Sequence, residues 1–282
     1  MKGKKWLNLL LYSNIFVSLC AAAITAETYL LAHLEINFLY IFFVFSCTLV
    51  FYNFPSLFFA EDAFSANQSE RHKWILGNRK FLIISFALSL ISAFITSFFF
   101  PLKFILLLVP TSLLAFAYFF PQTHLRNITG LKTIIVAFVW TMIAVFYPLL
   151  LSSDLELANF LRKMSGILIL QNFLFIFPLC VIYNVRDIES DKKAGVRTIP
   201  VVYGVKTTVI ISLLSLVLFS SVVMLSPFLL EERTGLLLSA VPTGVLLWFA
   251  SEKRADYYYS LWIDGMIILQ TGLVFGIKFL NN

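Results

Sequence analysis

Charge is scarce in this sequence. Asp, Glu, Lys and Arg together make up 13% of its 282 residues, against about 25% in an ordinary soluble domain. That shortage excludes a water-soluble enzyme and a disordered chain. Cysteine is scarcer still, with three residues (Cys20, Cys47 and Cys180), all inside apolar runs. They are too few and too isolated for a disulfide scaffold, and no Cys or His pair has the spacing of a metal site. Burial as small hydrophobes accounts for them. What the sequence does contain is apolar: 60% of it is hydrophobic, Phe alone occurs 31 times, and the mean hydropathy is +0.90. The expected class is an all-α, multi-pass integral membrane protein forming a single domain over residues 1–282.

A bilayer core about 30 Å thick needs about 20 helical residues per crossing. Spans are expected at roughly 9–31, 38–60, 81–100, 102–120, 130–151, 165–185, 207–230, 235–250 and 258–280. Pro101 separates the third from the fourth in a tight hairpin. The basic start Met1-Lys2-Gly3-Lys4-Lys5 has the look of a secretory signal, but the apolar stretch after it is too long for one that is removed. The nine spans sort the basic residues. With the N-terminus inside, sixteen of the 21 Lys and Arg fall on the inner side, and only Lys103, Arg162, Lys163, Arg233 and Lys278 fall outside. This predicts a cytoplasmic N-terminus and an outer C-terminus. It also removes nucleic acid as the reason for the net charge of +6, because the charge lies at one membrane face, where it meets anionic headgroups or a diphosphate.

Two inner loops are long, at about 61–80 and 186–206. Each is approached by the same dipeptide, Tyr52-Asn53 and Tyr183-Asn184. The second reads Tyr183-Asn184-Val185-Arg186-Asp187-Ile188-Glu189-Ser190-Asp191-Lys192-Lys193-Ala194-Gly195-Val196-Arg197-Thr198-Ile199-Pro200. If the sixth helix continues through it, Asp187 and Asp191 share one face, with Asn184 on the same side. Carboxylates so spaced can share magnesium with phosphate oxygens, while Arg186, Lys192, Lys193 and Arg197 clamp the remaining anionic oxygens. Gly195 ends the helix and Pro200 blocks its extension. Spacing alone is equally compatible with a solvated charged loop.

The whole string is more specific. It resembles the second aspartate motif of the UbiA-type membrane prenyltransferase superfamily, in particular the menaquinone-pathway pattern N-x-R-D-I-E-x-D-x-x-A-G-x-R-T, with Gly204 at the glycine that closes the segment. The resemblance implies a ring of nine helices around a central cavity open to lipid. It implies transfer of a prenyl group from a prenyl diphosphate to a lipid or aromatic acceptor, often a quinone precursor. Asp187 and Asp191 would hold Mg2+ on the diphosphate, and Asn184, Arg186, Lys192 and Arg197 would bind substrate. The family's first motif, similar to N-D-x-x-D-x-x-x-D, aligns from Asn53. Its acidic positions hold Phe54, Leu57 and Glu61, so Asn53 remains as a substrate-binding residue and Glu61 as a third metal ligand. The pattern Y-x-x-x-K after the fourth span keeps Tyr118, a further substrate-binding candidate, and has Gln122 for the lysine, with Arg126 and Lys132 the nearby basic residues.

The lost acids motivate a rival from another class, a non-catalytic isoprenoid-binding or assembly protein on the same scaffold. A secondary transporter is disfavoured by the lack of a chain of intramembrane ionisable groups. The compact loops favour a bacterial cytoplasmic membrane, and the sequence sets no oligomeric state. Within the spans, Glu27 is expected near the outer end, and Asp264 near the inner end, where it either supports structure or lines the cavity. Asn14, Gln171 and Asn172 are expected to join helices by hydrogen bonds, and Trp6, Trp74 and Trp262 to sit at interfaces.

Overall fold

In the computed structural model, residues 2–58, 70–117, 128–155 and 165–281 are described. Every regular element among them is helical, with no strand. The chain begins with a broken span. Helices α1 (Lys2–Tyr12) and α2 (Ile15–Leu31) meet at 63°. Asn14 makes the bend by adopting a left-handed backbone, φ 64°, which asparagine tolerates better than most residues. Then come α3 (Phe38–Phe58), the short α4 (Glu70–Gly77), α5 (Arg79–Ser97) and α6 (Leu102–Ala117). Helix α7 (Leu131–Leu151) contains a π turn over Met142–Phe146. Helix α8 (Ser165–Tyr183), the six-residue α9 (Ile188–Lys193), α10 (Ile199–Leu225) and α11 (Leu230–Trp248) follow. The last helix, α12 (Tyr258–Leu280), opens with a π turn over Tyr258–Ile263.

Each expected span falls on one of these helices. Four single helices and the two with π turns, α7 and α12, are long and apolar enough to cross a bilayer, and the bent α1–α2 pair makes a seventh candidate. Helix α6 is shorter, and α11 carries Glu231, Glu232 and Arg233 in its first turn. The seventh expected span starts eight residues later than α10 does. The reason is Gly204, whose φ 80° and ψ 166° interrupt the helix, so the first turn of α10 belongs to the preceding loop. A larger correction concerns the sixth span. Helix α8 stops at Tyr183, and the chain turns before α9 instead of running on as one helix.

The helices close a circuit. Helix α2 packs on α3, which packs on α5 and meets α6 through Phe51 and Phe54 against Phe116; α6 packs on α7, α7 on α8, α8 on α10, α10 on α11 and α11 on α12, and α12 returns to α2. Lipid gives apolar helices little reason to prefer each other over the bilayer, so packing and interhelical hydrogen bonds must hold them. Tyr40 is one such joint. Its ring meets Phe100 and Phe104 edge-on, and its hydroxyl donates to the Ile143 carbonyl at 2.8 Å. Glu27 is another. Fully buried, it accepts hydrogen bonds from Gln270 (2.8 Å) and Thr271 (3.1 Å), tying α2 to α12. Ser239 extends the link to α11 by donating to Gln270 Oε1 at 3.1 Å. At the far end of the same helices Lys278 donates to the buried Glu232 at 3.1 Å. Asn14 joins helices as expected, but Asn172 does not. Its side-chain nitrogen and oxygen are both buried with no hydrogen bond among the described residues. Outward faces stay apolar, as with Leu88, Ile91 and Phe94 on α5.

Candidate active site

Inside the circuit lies a cavity of about 690 Å³. Most of its wall is apolar or aromatic, with Phe43, Phe51 and Trp140 among the large side chains. Polar groups gather from separate elements: Asn14 from the α1–α2 bend, Arg71 from α4, Lys132 from α7, and Asn184, Arg186 and Asp187 from the turn after α8.

That turn is built by local bonds. The backbone N–H groups of Val185, Arg186 and Asp187 donate to Ile182, Tyr183 and Asn184 at 3.0, 3.2 and 3.2 Å. Asn184 is fixed by its side-chain amide, which donates to Thr133 Oγ1 at 2.8 Å and to the Cys180 carbonyl at 3.0 Å. It thus braces α8 against α7 while facing the cavity. Asp187 occupies the N-cap position of α9 but makes no capping bond. Its carboxylate is instead gripped by Arg186, with Nε on Oδ1 at 2.8 Å and Nη2 on Oδ2 at 3.0 Å. This two-pronged pairing is the strong arrangement for an arginine and a carboxylate. The remaining guanidinium nitrogen donates to the Tyr183 hydroxyl at 3.0 Å, which lies 3.1 Å from Ser260 Oγ on α12.

Asp191 behaves differently. Its N–H donates to the Asp187 carbonyl at 2.8 Å, so the two acids are one turn apart, as the spacing predicts. Its carboxylate is nevertheless not part of the cavity wall. It is buried, with Lys132 3.4 Å from Oδ1, and Oδ2 lacks a hydrogen bond of standard geometry among the described residues. The electrostatics of the pair diverge. Burial pushes the Asp187 carboxyl up, but the charge and hydrogen bonds of Arg186, helped by Lys132 and Arg71, overcome it and hold the group below its ordinary value. For Asp191 burial prevails, aided by the neighbouring Asp187, and the carboxyl is raised despite Lys132. Gly195, φ 69°, turns the chain after α9, as expected. The Gly130 N–H then donates to the Arg197 carbonyl at 3.2 Å, docking the loop on the start of α7.

The other expected site residues scatter. Lys192 and Arg197 are exposed and outside the cavity wall, so they do not close on its contents. Asn53 is fully buried behind the wall, accepting from the Asn14 amide at 2.9 Å and donating to the Ser13 carbonyl at 3.2 Å. Asn14 in turn accepts from Arg71 Nη2 at 3.2 Å. Asn53 therefore reaches the cavity only through Asn14 and Arg71. Phe54, in an acidic position of the motif, packs on Phe58 and Phe116. Tyr118 and Glu61 lie outside the described residues. Arg71, Lys132 and Asn14 are the cavity residues that motif reading did not place there. The only sequence signals for the two cations were the inner location of their loops and, for Lys132, its nearness to the missing lysine.

Among the described residues no three His, Cys, Asp or Glu side chains converge as a metal cluster. Asp187 and Asp191 still offer the hard oxygen donors that magnesium selects. A carboxylate has about four lone-pair positions, of which Arg186 uses two on Asp187. Asp191 Oδ2 is a buried oxygen with none of standard geometry filled. Only Asp187 presents its carboxylate to the cavity, so the donors there fit an ion held by that one group and a ligand's oxygens, and the expected sharing by Asp187 and Asp191 is not what the structure arranges.

Residues 75–264 match the model of the UbiA prenyltransferase family. No curated protein sequence matches the chain. Among solved structures, the chain is similar to the apo structure of a UbiA homolog from Aeropyrum pernix K1, with a TM-score of 0.61 and 15% identity over 95% of this chain and 98% of that one. It is also similar to a structure of digeranylgeranylglyceryl phosphate synthase in membranes, with a TM-score of 0.57 and 18% identity over 99% of this chain and the whole of that one. At such identities the likeness is one of fold.

Proposed function

Because the chain belongs to the UbiA prenyltransferase family, we propose that it transfers a prenyl group from a prenyl diphosphate to a lipid-pathway acceptor of the quinone-precursor type. We place it in a bacterial cytoplasmic membrane, with the polar end of the cavity facing the cytoplasm. The observation that carries this reading is the cavity's division of labour. An apolar chamber, suited to a hydrocarbon tail, ends at Arg71, Lys132 and the Arg186–Asp187 pair. A prenyl diphosphate has the same two-part chemistry.

The cations have separate duties in this scheme. Arg71 is oriented by Asn14 and, behind it, Asn53, and meets the diphosphate from the α4 side. Lys132 stands between the wall and Asp191 and meets it from α7. Arg186 keeps Asp187 ionised at the rim. Magnesium, if held by Asp187 together with the ligand's own oxygens, would supply Lewis-acid stabilisation of the charge that builds on the departing diphosphate. Aromatic faces in the wall, such as Trp140, suit the cationic character that grows on the allylic carbon, and the enclosed apolar chamber keeps water from competing with the acceptor.

The test uses the full chain purified in detergent with farnesyl and geranylgeranyl diphosphate, and measures magnesium-dependent diphosphate release. Asp187→Asn is expected to lower release about 100-fold, which is about 2.7 kcal/mol of transition-state stabilisation. Unchanged release in both Asp187→Asn and Asp191→Asn rejects the site. The phenylalanine and leucine at positions 54 and 57 favour a second reading, an isoprenoid-binding protein without turnover. Tight farnesyl diphosphate binding without release supports that reading, and gain of release in Leu57→Asp marks a decayed active site.

A further inference from the structure

One polar group in the cavity wall has no part in this scheme. Asp264 lies on α12, immediately after the π turn over Tyr258–Ile263, and faces the cavity. Single π turns insert a residue and re-aim the side chains that follow, and they are frequent at functional sites. The start of the α-helical part of α12 is pinned to α2 by the Cys20 thiol, which donates to the Asp264 carbonyl at 3.3 Å. The side chain itself is left free. Among the described residues no cation lies within 4.0 Å of its carboxylate, and no hydrogen bond reaches it. Its polar neighbours are engaged with one another, since Ser260, Tyr183, Arg186 and Asp187 form a connected chain. Arg186 and Arg71 act on Asp264 only through space.

An unpaired acid inside a membrane-spanning helix is costly to keep, and such residues are expected to serve a site. Its charge is wrong for the diphosphate, which the cations at the other polar positions suit. A carboxylate accepts hydrogen bonds, so a partner that donates one suits it. The wall of the same chamber includes Tyr52 and Trp140, edge-on to each other at 6.5 Å and linked by a 3.0 Å bond from the indole N–H to the Tyr52 hydroxyl. Flat aromatic walls in one chamber with a lone acceptor suit a ring that carries a hydroxyl.

We propose that Asp264 is the acceptor-binding residue, taking a hydrogen bond from the free hydroxyl of an aromatic acceptor that lies against Tyr52 and Trp140. This assignment rests on the transferase reading for the word acceptor, but the site can be tested without turnover.

The probes are 2-naphthol and 2-methoxynaphthalene, which share a ring system and differ in whether they can donate a hydrogen bond. Their binding to the detergent-purified full chain is measured beside that of farnesyl diphosphate. Wild-type protein is expected to bind 2-naphthol at least tenfold more tightly than the methoxy compound. Asp264→Leu is expected to abolish that preference while farnesyl diphosphate affinity stays within twofold. If Asp264→Leu does not fold, Asp264→Asn keeps the shape and loses the charge, and should reduce the preference about fivefold. An unchanged preference in a folded variant overturns the proposal, as does a wild-type chain with no preference. Parallel loss of farnesyl diphosphate binding also overturns it, because Asp264 would then be a counter-charge for the arginines. Naphthol preference without any diphosphate release keeps the site and rejects the transferase reading.

Discussion

Asp187 and Asp191 stand four residues apart, yet burial acts on them with opposite net results. Asp187 is held below its ordinary value by Arg186. Its contribution to stability is therefore present above the usual carboxylate range and is lost as pH falls through the lowered value. Asp187→Asn should destabilise the protein at pH 7 by about 2 kcal/mol, because it leaves the Arg186 guanidinium half-buried without its carboxylate. Thermal unfolding in detergent measures this. Asp191 is raised, so its contribution is present below the usual range and is lost as pH rises through the raised value. Asp191→Asn should therefore increase the unfolding temperature at pH 8 while giving no gain at pH 4. A drop at pH 8 comparable to that of Asp187→Asn would contradict the assignment. These two residues also mark how far the sequence was legible. Their four-residue spacing survives in the structure, but the carboxylates do not face one chamber, because the chain turns at 184–187. Periodicity counts residues along a helix and carries no sign of where the helix stops. Lys132 and Arg71 were hidden for a related reason. A basic residue in a short inner loop reads as topology, and only the packing of α4 and α7 turns it toward the cavity.

At the scale of elements, polar contacts and close approach decide the helix order. The buried Glu27 holds Gln270 and Thr271. Glu27→Leu should cost about 1–2 kcal/mol by leaving both donors unpaired, with farnesyl diphosphate affinity unchanged, since the network lies outside the cavity wall. Gly235 is where α11 meets α12. A Cβ placed there would lie 2.8 Å from Val274 Cα and 3.0 Å from its backbone nitrogen. Gly235→Ala must push the two backbones apart, at about 2 kcal/mol or more. Gly272→Ala, whose added carbon meets nothing within 4 Å, should be neutral in the same unfolding assay. The helices themselves were readable from hydropathy, and most of their described ends fall close to the expected ones, the starts of α1 and α10 lying seven and eight residues earlier. What hydropathy could not supply was the set of neighbours. Gly235 and Glu27 stand in stretches whose composition fits a lipid-facing helix as well as a packed one.

The whole molecule is a ring of helices, and the nine-span reading gives its two rims different charge. Sixteen of 21 basic residues on one side predict an inner N-terminus and an outer C-terminus. Reporter fusions active only in the cytoplasm should work at Met1 and fail after Asn282, and activity at both ends would require an even number of crossings. The circuit also fixes what surrounds a bound molecule. Of the five tryptophans, Trp140 alone belongs to the cavity wall, while Trp6, Trp248 and Trp262 are largely exposed on the outside. The chamber thus carries its own lamp: once the other four tryptophans are exchanged for phenylalanine, ultraviolet emission from this one indole, damped or shifted when a guest slides alongside, would let occupancy be followed in real time without attaching any dye.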